Sequence, residues 1–326
     1  MNERGIGVLE QYDFEVKNMY KGRGFLILET SDGLKSFREF GGSNKKLQFQ
    51  HIIQQKLLSA EMQTDIAVAN KDGSLISKDK DESLYIVRRW FESKECNIRD
   101  ERDICAAVRY LAEMHTILRG FEFSGDIDES NYHQDMQEIF RRHNREMKKT
   151  RNFMRERRGK TEFEICFLKS FSEYFEKALL AEEMLGNSSY EWLSAQAAEE
   201  KAVCHGSYNH HNAVFLFNGM AVLDFERCHI DNQMDDLYDF MRKILEKWDW
   251  DVKIGRRMLD QYDRIRPISD KELEYLKICL CYPEKYWKIA NHYYNSKKSW
   301  IPDKNTEKLK KVISQEEKKE VFLAQI

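Results

Sequence analysis

The sequence has little proline and no CxxC pair of cysteines. Its three prolines, Pro267, Pro283 and Pro302, all lie late among 326 residues, so long uninterrupted helices are permitted before them. The seven cysteines are scattered, and none of them forms a CxxC pair. This pattern argues against a zinc site and predicts reduced thiols in partly buried positions.

The sequence also lacks long apolar runs and a strong excess of one charge. No run approaches the roughly 20 apolar residues of a membrane span, and the first residues have no apolar core of signal-peptide length. We therefore expect synthesis and folding in the cytosol and no membrane span. A net charge of -3 gives no argument for a nucleic-acid partner. With 41% apolar and 33% charged residues, the chain is expected to be globular and large enough for two lobes.

The most informative stretch covers residues 203–226. Two short apolar runs, Ala213 to Phe217 and Met220 to Leu223, flank Asn218-Gly219, which is a strong hairpin signal. Antiparallel pairing brings the residue before the first strand beside the residue after the second. Asn212 and Asp224 are therefore expected to face one cleft, where their oxygens suit a hard cation such as Mg²⁺ carrying nucleotide phosphates.

This stretch resembles the catalytic segment of kinase-like phosphotransferases, the group that includes aminoglycoside phosphotransferases and choline kinases. The resemblance rests on His205-Gly206, on Asn212 six residues after Gly206, and on Leu223-Asp224-Phe225-Glu226. It implies metal-ligand roles for Asn212 and Asp224, with ATP and Mg²⁺ as cofactors. His205 belongs to the same catalytic motif.

Ser207 departs from the resemblance at the position of the catalytic Asp. An Asp in such a loop accepts the proton of the attacking hydroxyl, whereas a serine hydroxyl has no useful basicity near neutral pH. Loss of a positioned general base typically costs about 10²–10⁴-fold in rate. His210 or His211 could substitute, because an imidazole has a suitable intrinsic pKa.

Residues 12 to 40 predict strands, with a turn at Ser31-Asp32-Gly33. The equivalent strand of the kinase-like relatives carries a Lys that binds the nucleotide phosphates. Arg38 stands at that position here, and Lys35 is a weaker alternative. Either residue could instead be an ordinary charge on the surface of the strand.

The helix predicted over Lys45 to Ala60 lacks the Glu that a kinase helix usually offers to this Lys. Residues 66–77 predict a further hairpin around Asn70 to Gly73, residues 84–90 predict the last strand of the lobe, and residues 91–96 predict a linker. Gly22-x-Gly24 is only a fragment of a phosphate-binding loop.

From Asp100 onwards the pattern is helical. His115 is predicted to be a core histidine, and residues 131–185 predict two long charged helices. Their predicted buried stripes comprise Phe140, Met147, Phe153, Phe163, Phe167, Phe171, Tyr174 and Phe175. An acidic segment opens a helix predicted over Leu237 to Trp250, and by the resemblance Asp236 is the candidate that braces the catalytic loop.

The tail extends the resemblance to a narrower family. Tyr282 to Pro302, followed by Lys308-Leu309, resembles the C-terminal signature of the bacterial spore coat CotS family of kinase-like proteins. Trp90-Phe91 and Glu95-Cys96 match the same family near the linker, and the likeness covers about residues 22 to 312. It implies spore coat proteins as partners, synthesis in the mother cell and a final location in the spore coat. From the residues alone, Glu284 to Tyr294 is an aromatic-rich helix that must pack its rings against the large lobe.

Together these features predict an α+β, protein-kinase-like two-lobed fold. A small antiparallel β-lobe with one helix would cover residues 1–91, and a large, mainly helical lobe carrying the hairpin of residues 203–226 would cover residues 92–326. Three functions stay open: a degenerate kinase acting in coat assembly, an active ATP-dependent phosphotransferase on a small molecule or coat protein, and a nucleotide-binding switch without turnover.

Overall fold

The computed structural model describes residues 3–22, 24–120, 135–295 and 302–326. The chain divides into two compact units, each made of two segments: Met1–Glu129 with Cys204–His229, and Ser130–Val203 with Ile230–Ile326. The first unit therefore joins the strand-rich N-terminal region to the hairpin segment. The lobe boundary predicted between residues 91 and 92 stays a prediction.

The strands are short, and most of them precede residue 100. They are β1 Val16–Lys21, β2 Leu26–Thr30, β3 Gly33–Glu39, β4 Gln63–Thr64, β5 Ser77–Lys78, β6 Leu84–Arg89, β7 Lys94–Glu95, β8 Val203–Cys204, β9 Ala213–Phe215, β10 Met220–Val222 and β11 His229–Ile230. The helices are α1 Asn44–Ser59, α2 Glu101–Ile117, α3 Met136–Glu156, α4 Glu162–Asn187, α5 Tyr190–Glu199, α6 Met234–Leu245, α7 Val252–Asp263, α8 Asp270–Cys281, α9 Glu284–Asn295, α10 Pro302–Ser314 and α11 Glu316–Leu323. Among the described residues, 3₁₀ helices cover Glu3–Gln11 and Phe225–Arg227.

The first unit contains a five-stranded sheet of order β1-β2-β3-β6-β5 and a four-stranded sheet of order β4-β10-β9-β7. The strands predicted over residues 12 to 40 are confirmed, and Gly33 adopts φ 82° in the tight turn between β2 and β3. The predicted linker contains β7, which pairs with β9. Apolar residues on the first 3₁₀ helix, at the position after it and on strands β2, β3 and β6 form a core under the five-stranded sheet: Val8, Leu9, Tyr12, Leu28, Phe37 and Val87.

The hairpin predicted within residues 66–77 is wrong, although its turn exists. The Asn70 side chain accepts hydrogen bonds from the amides of Asp72 and Ser74, at 3.1 and 2.9 Å. The two flanking segments pair with β6 rather than with each other, through Ala67 to Arg88 and through Ser77 to Tyr85. Strand β6 is longer than either segment, and both pair with the edge of β6 that does not face β3.

Helix α2 confirms the predicted helix after Asp100. The Asp100 side chain caps its first turn by accepting from the Arg102 amide at 2.9 Å. His115 is fully buried, in agreement with its prediction as a core histidine.

The second unit is helical, and α3 and α4 confirm the two long charged helices; residues 131–134 of that prediction lie outside the described residues. A capping box between Thr161 and Glu164 begins α4. The predicted stripes are buried except Phe153, which is 46% exposed, and Phe175, which is half-buried. Phe140, Met147 and Met154 lie at seven-residue spacing on the buried face of α3, so Phe153 falls one residue off that face.

Helix α9 packs its aromatic rings against α3 and α4, as predicted. The Tyr286 ring stacks on Tyr174 with centroids 4.1 Å apart, and the Trp287 ring stacks on His143 with centroids 3.3 Å apart. Residues 296–301 of the tail signature lie outside the described residues. The helix predicted over Leu237 to Trp250 is α6, which begins three residues earlier and ends at Leu245.

None of the seven cysteines, all within the described residues, forms a disulfide, and five of them are buried. In the described ranges, every helix is too short or too polar to cross a bilayer.

Candidate active site

The hairpin predicted from Asn218-Gly219 is confirmed, with strands shorter than expected. Ala213 pairs with Val222 and Phe215 pairs with Met220. The Leu223 amide donates to the Asn212 carbonyl at 2.9 Å. This bond extends the pairing beyond the open end of the hairpin, where Asn212 precedes β9 and Leu223 follows β10. As predicted, Asn212 and Asp224 line one cavity, of about 900 Å³, in the first unit.

Asp224 is held by its backbone and leaves its carboxylate unengaged. Its amide donates to both carboxylate oxygens of Asp65, each at 3.2 Å, and its backbone is left-handed at φ 67° and ψ 66°. Throughout the described ranges, nothing donates a hydrogen bond to the Asp224 carboxylate or pairs with it. An unpaired carboxylate facing a cavity suits a cation ligand.

Asn212 is oriented by the loop that precedes it. Its side-chain nitrogen donates to the Ser207 carbonyl at 3.0 Å, and its backbone amide donates to the Asn209 carbonyl at the same distance. The side-chain oxygen of Asn212 has no hydrogen-bond partner among the residues described. Together with the Asp224 carboxylate it forms an oxygen donor pair of the kind that Mg²⁺ prefers.

Ser207 occupies the predicted base position, and the described residues bring no carboxylate to it. Its Oγ lies 3.3 Å from His205 Nδ1 and donates to the Asp224 carbonyl at 3.3 Å. These contacts hold the loop beside the Asp224 backbone. They supply no group that could take a proton from an attacking hydroxyl at neutral pH.

His205 is fully buried and does not line the cavity. Its Nε2 lies 3.0 Å from the Leu223 carbonyl, and its Nδ1 lies 3.2 Å from the Ser207 amide, so Nε2 donates and Nδ1 accepts. Gly206 follows at φ 74°, and a Cβ there would lie 2.1 Å from the Arg227 carbonyl oxygen. His205 thus ties the loop to the end of β10, and Gly206 permits the close approach of the loop to the Arg227 backbone.

The two candidate replacement bases differ in position. His211 lines the cavity, and its Nδ1 lies 2.7 Å from the Glu95 carboxylate, which lines the cavity as well. His210 is not among the lining residues, and its ring lies against that of His211 with centroids 3.9 Å apart.

The two predicted phosphate-binding cations lie on opposite faces of β3. Arg38 lines the cavity and forms an ion pair with Glu226. Lys35, three residues away, faces the other side and binds the Asp32 carboxylate at 2.9 Å. Lys35 therefore does not reach the cavity, because side chains alternate along a strand.

Asp65 is a cavity residue that sequence reasoning missed. It is 4% exposed, and besides the Asp224 amide it accepts from the Gln54 side chain of α1 at 2.9 Å. Burial raises the pKa of Asp65 to about 6, against the opposing effects of the Arg88 charge and the Asp224 amide. The Asp65 carboxylate thus joins α1 to the backbone of Asp224. A lone Asp between Thr64 and Ile66 belongs to no motif, so no pattern in the sequence could have indicated it.

Arg88 is the second residue that was missed. It lines the cavity from β6 at 3% exposure, and its Nη2 donates to Gln50 of α1 at 3.0 Å.

Asp236 lies in the second unit, buried in the first turn of α6. Its predicted bracing role stays a prediction.

Comparisons with known proteins find relatives of this chain in sequence and in fold. The chain is 27% identical over 165 residues to spore coat protein S of Bacillus subtilis strain 168, and the match covers 49% of this chain and 46% of that protein. The chain thus matches less than half of that relative's length. Among solved structures, an aminoglycoside phosphotransferase from Alicyclobacillus acidocaldarius is similar at TM-score 0.86 and 16% identity, covering 98% of this chain and 94% of that one. Spectinomycin phosphotransferase in complex with ADP and spectinomycin is similar at TM-score 0.63 and 9% identity, covering 95% and 97%.

At such low identity the solved structures establish the fold, which is α+β and kinase-like as predicted. The family comparison matches residues 7–326 to the family described as "Spore coat putative kinase YutH". The chain therefore belongs to this spore coat family of kinase-like proteins.

Proposed function

We propose that this protein binds a nucleotide with a divalent cation in the cavity of its first unit and transfers the phosphoryl group slowly or not at all. One observation supports this most directly. The oxygens of Asn212 and Asp224 are left for a cation, while Ser207 stands where a carboxylate base is needed. Binding and base catalysis use different residues, so one can persist without the other.

The cofactor in this proposal is ATP with Mg²⁺. Asn212 and Asp224 would hold the cation, and the cation would neutralise charge on the phosphates. Arg38 and Arg88 line the same cavity and bring positive charge to it. The ADP held by spectinomycin phosphotransferase, a protein of the same fold, supports a nucleotide as the ligand.

The family supports a proposal for the biological role. We expect synthesis in the mother-cell cytoplasm, contacts with spore coat proteins and a function in coat assembly. With little or no turnover, the nucleotide would act as a structural or switching ligand.

A second function has an observation in its favour. His211 pairs with Glu95 at the cavity, and a histidine oriented by a carboxylate can serve as a general base. Under this alternative the protein is an active ATP-dependent phosphotransferase on a small molecule or a coat protein.

The experiment begins with a thermal-shift titration of ATP, with and without Mg²⁺. A ligand that binds only the native state raises Tm by mass action, so a rise that depends on Mg²⁺ is expected. Asp224→Asn should remove the Mg²⁺-dependent part, while Asp72→Asn, on the exposed turn after Asn70, should keep it. An unchanged Tm in wild-type protein would contradict nucleotide binding.

The second step measures ATP turnover with a broad panel of acceptors in wild-type protein and in Ser207→Asp. Restoring the carboxylate should raise turnover at least tenfold, because a positioned base contributes about 10²–10⁴-fold. Wild-type turnover within the usual kinase range of about 1–100 s⁻¹ would refute impaired catalysis.

A further inference from the structure

Arg88 is a buried cation with an incomplete set of partners. Its Nη2 donates to Gln50 Oε1 at 3.0 Å, and its Nη1 donates to the Asp65 carbonyl at 3.4 Å. Its Nε has no hydrogen-bond partner in the described structure. Both acceptors are neutral. Within the described part of the chain, no carboxylate lies within ion-pair distance of this guanidinium, which is 3% exposed, although its charge acts on the nearby Asp65 carboxylate.

Such an arrangement is costly unless an anion completes it. A buried charge is normally paired with a countercharge, and a guanidinium deprived of one loses hydration without replacement. A phosphate group in the cavity would supply both the charge and the acceptors, because a guanidinium can donate two parallel hydrogen bonds to it.

Arg38 is in the opposite situation. Ser36 pairs with Arg88 across the ladder between β3 and β6, and Arg38 pairs with Ile86, so the two arginines lie on the same face of the sheet. The Arg38 guanidinium is already in an ion pair with Glu226, and both side chains are partly exposed. Its charge is therefore compensated without a ligand.

Position relative to the metal-ligand pair also favours Arg88. The Asp65 carbonyl accepts from Arg88, and the Asp65 carboxylate accepts from the Asp224 amide. One residue thus links the buried guanidinium to the backbone of the candidate cation ligand. A nucleotide bound through a cation at Asp224 would place its phosphates in the part of the cavity that Arg88 lines.

Resting on the proposed nucleotide binding, we propose that Arg88, rather than Arg38, binds the phosphate groups of the nucleotide. The phosphate-binding cation then lies on β6 and not on the neighbouring strand β3. Gln50 and the Asp65 carbonyl orient it, and the phosphates provide the ion-pair contact that no carboxylate of the described residues makes with it.

The test measures affinities of the full chain for ATP with Mg²⁺ and for adenosine by isothermal titration calorimetry. Arg88→Gln should weaken ATP binding at least tenfold and leave adenosine binding within twofold, because adenosine carries no phosphate. Arg88→Lys keeps the charge and should lose less ATP affinity than Arg88→Gln. Arg38→Gln should change ATP affinity less than threefold. Arg89→Gln is the matched control from the same strand, with an exposed side chain outside the cavity, and should match wild type.

Three outcomes would overturn the inference. Equal losses for ATP and adenosine in Arg88→Gln would show a purely structural role. A tenfold loss in Arg38→Gln with ATP affinity kept in Arg88→Gln would return the role to β3, and the proposed nucleotide function would stand. Wild-type protein that binds neither ligand would refute the proposed function and the inference with it. If near-UV circular dichroism shows that Arg88→Gln does not fold, the Arg88→Lys variant provides the test. We then expect a loss of at least threefold in affinity for ATP without a matching loss for adenosine. An unchanged ratio of the two affinities would contradict the inference.

Discussion

Two groups of buried charges, one in each unit, differ in whether the protein itself supplies an oppositely charged partner in contact. In the cavity, Arg88 has no carboxylate in contact, and burial raises the pKa of Asp65 to about 6. In the helical unit, Glu284 of α9 lies 2.8 Å from Lys288 and 3.4 Å from His143. Burial alone would raise the pKa of Glu284, but His143, Lys288 and Arg242 outweigh it and lower this pKa to about 2.

The difference separates charges that stabilise the fold from charges held ready for a ligand. The Glu284 carboxylate has positive partners within the protein, so its ionised form favours the folded state, although His143 Nδ1 and Arg242 Nε lack hydrogen-bond partners in the described structure. The cavity group is incomplete, and its ionised forms cost stability until a cation and an anion arrive. Residues of the second kind are candidates for function.

The largest expected effect comes from the loop that carries the cavity residues. Gly206→Ala should lower the free energy of unfolding by about 3 kcal/mol or more, because φ is 74° and the new Cβ would meet the Arg227 carbonyl at 2.1 Å. Urea denaturation measures this change. Gly41→Ala is the control, since no atom lies within 4 Å of a Cβ there. Equal stability of the two variants would show that the loop does not require its close approach.

Glu284→Gln tests the group whose carboxylate has positive partners. A pKa lowered to about 2 corresponds to roughly 3 kcal/mol of stability at neutral pH, and the variant should lose most of it. Because the folded pKa is depressed, this contribution is present above the unfolded value near 4.5 and disappears as the pH falls toward 2. Urea denaturation from pH 7 down to pH 2.5 should show wild type and variant converging. The exposed Glu183→Gln serves as control, and a gap that stays constant with pH would contradict the assignment.

Asp224→Asn tests the incomplete group. The free energy of unfolding should stay the same or rise by up to about 1 kcal/mol, because the Asp224 charge disfavours the ionised form of the nearby Asp65. Asparagine also tolerates the left-handed backbone at this position. Thermal unfolding without ligand measures the change. A loss above 1 kcal/mol would mean that the carboxylate stabilises the fold, against the comparison of the two groups.

The smallest effect on stability is expected from His211→Ala. The contact with Glu95 joins side chains that are 44% and 54% exposed, so its loss should change the free energy of unfolding by about 0.5 kcal/mol or less. Any residual ATP turnover should also persist. A tenfold or greater fall in turnover at unchanged stability would favour the active phosphotransferase with His211 as its base.

Local patterns predicted those parts of the site that adjoin one turn. Asn218-Gly219 and the apolar runs beside it were enough to bring Asn212 and Asp224 together, because pairing in a short hairpin is decided within a dozen or so residues. The kinase-like fold followed from the motifs that flank this turn. Asp65 and Arg88 were not predictable, since their contacts join α1, β6 and the hairpin across long sequence separations.

The sequence by itself determined the chemistry available at the hairpin, including a serine in place of the expected carboxylate, because identity at a motif position does not depend on packing. It also determined the long helices and their aromatic stripes through periodicity. Only the tertiary structure decided which charges are compensated. The pairing of Arg38 with Glu226 and the burial of Arg88 beside neutral acceptors depend on strand register and on the segments that meet at the cavity, and no local pattern specifies those.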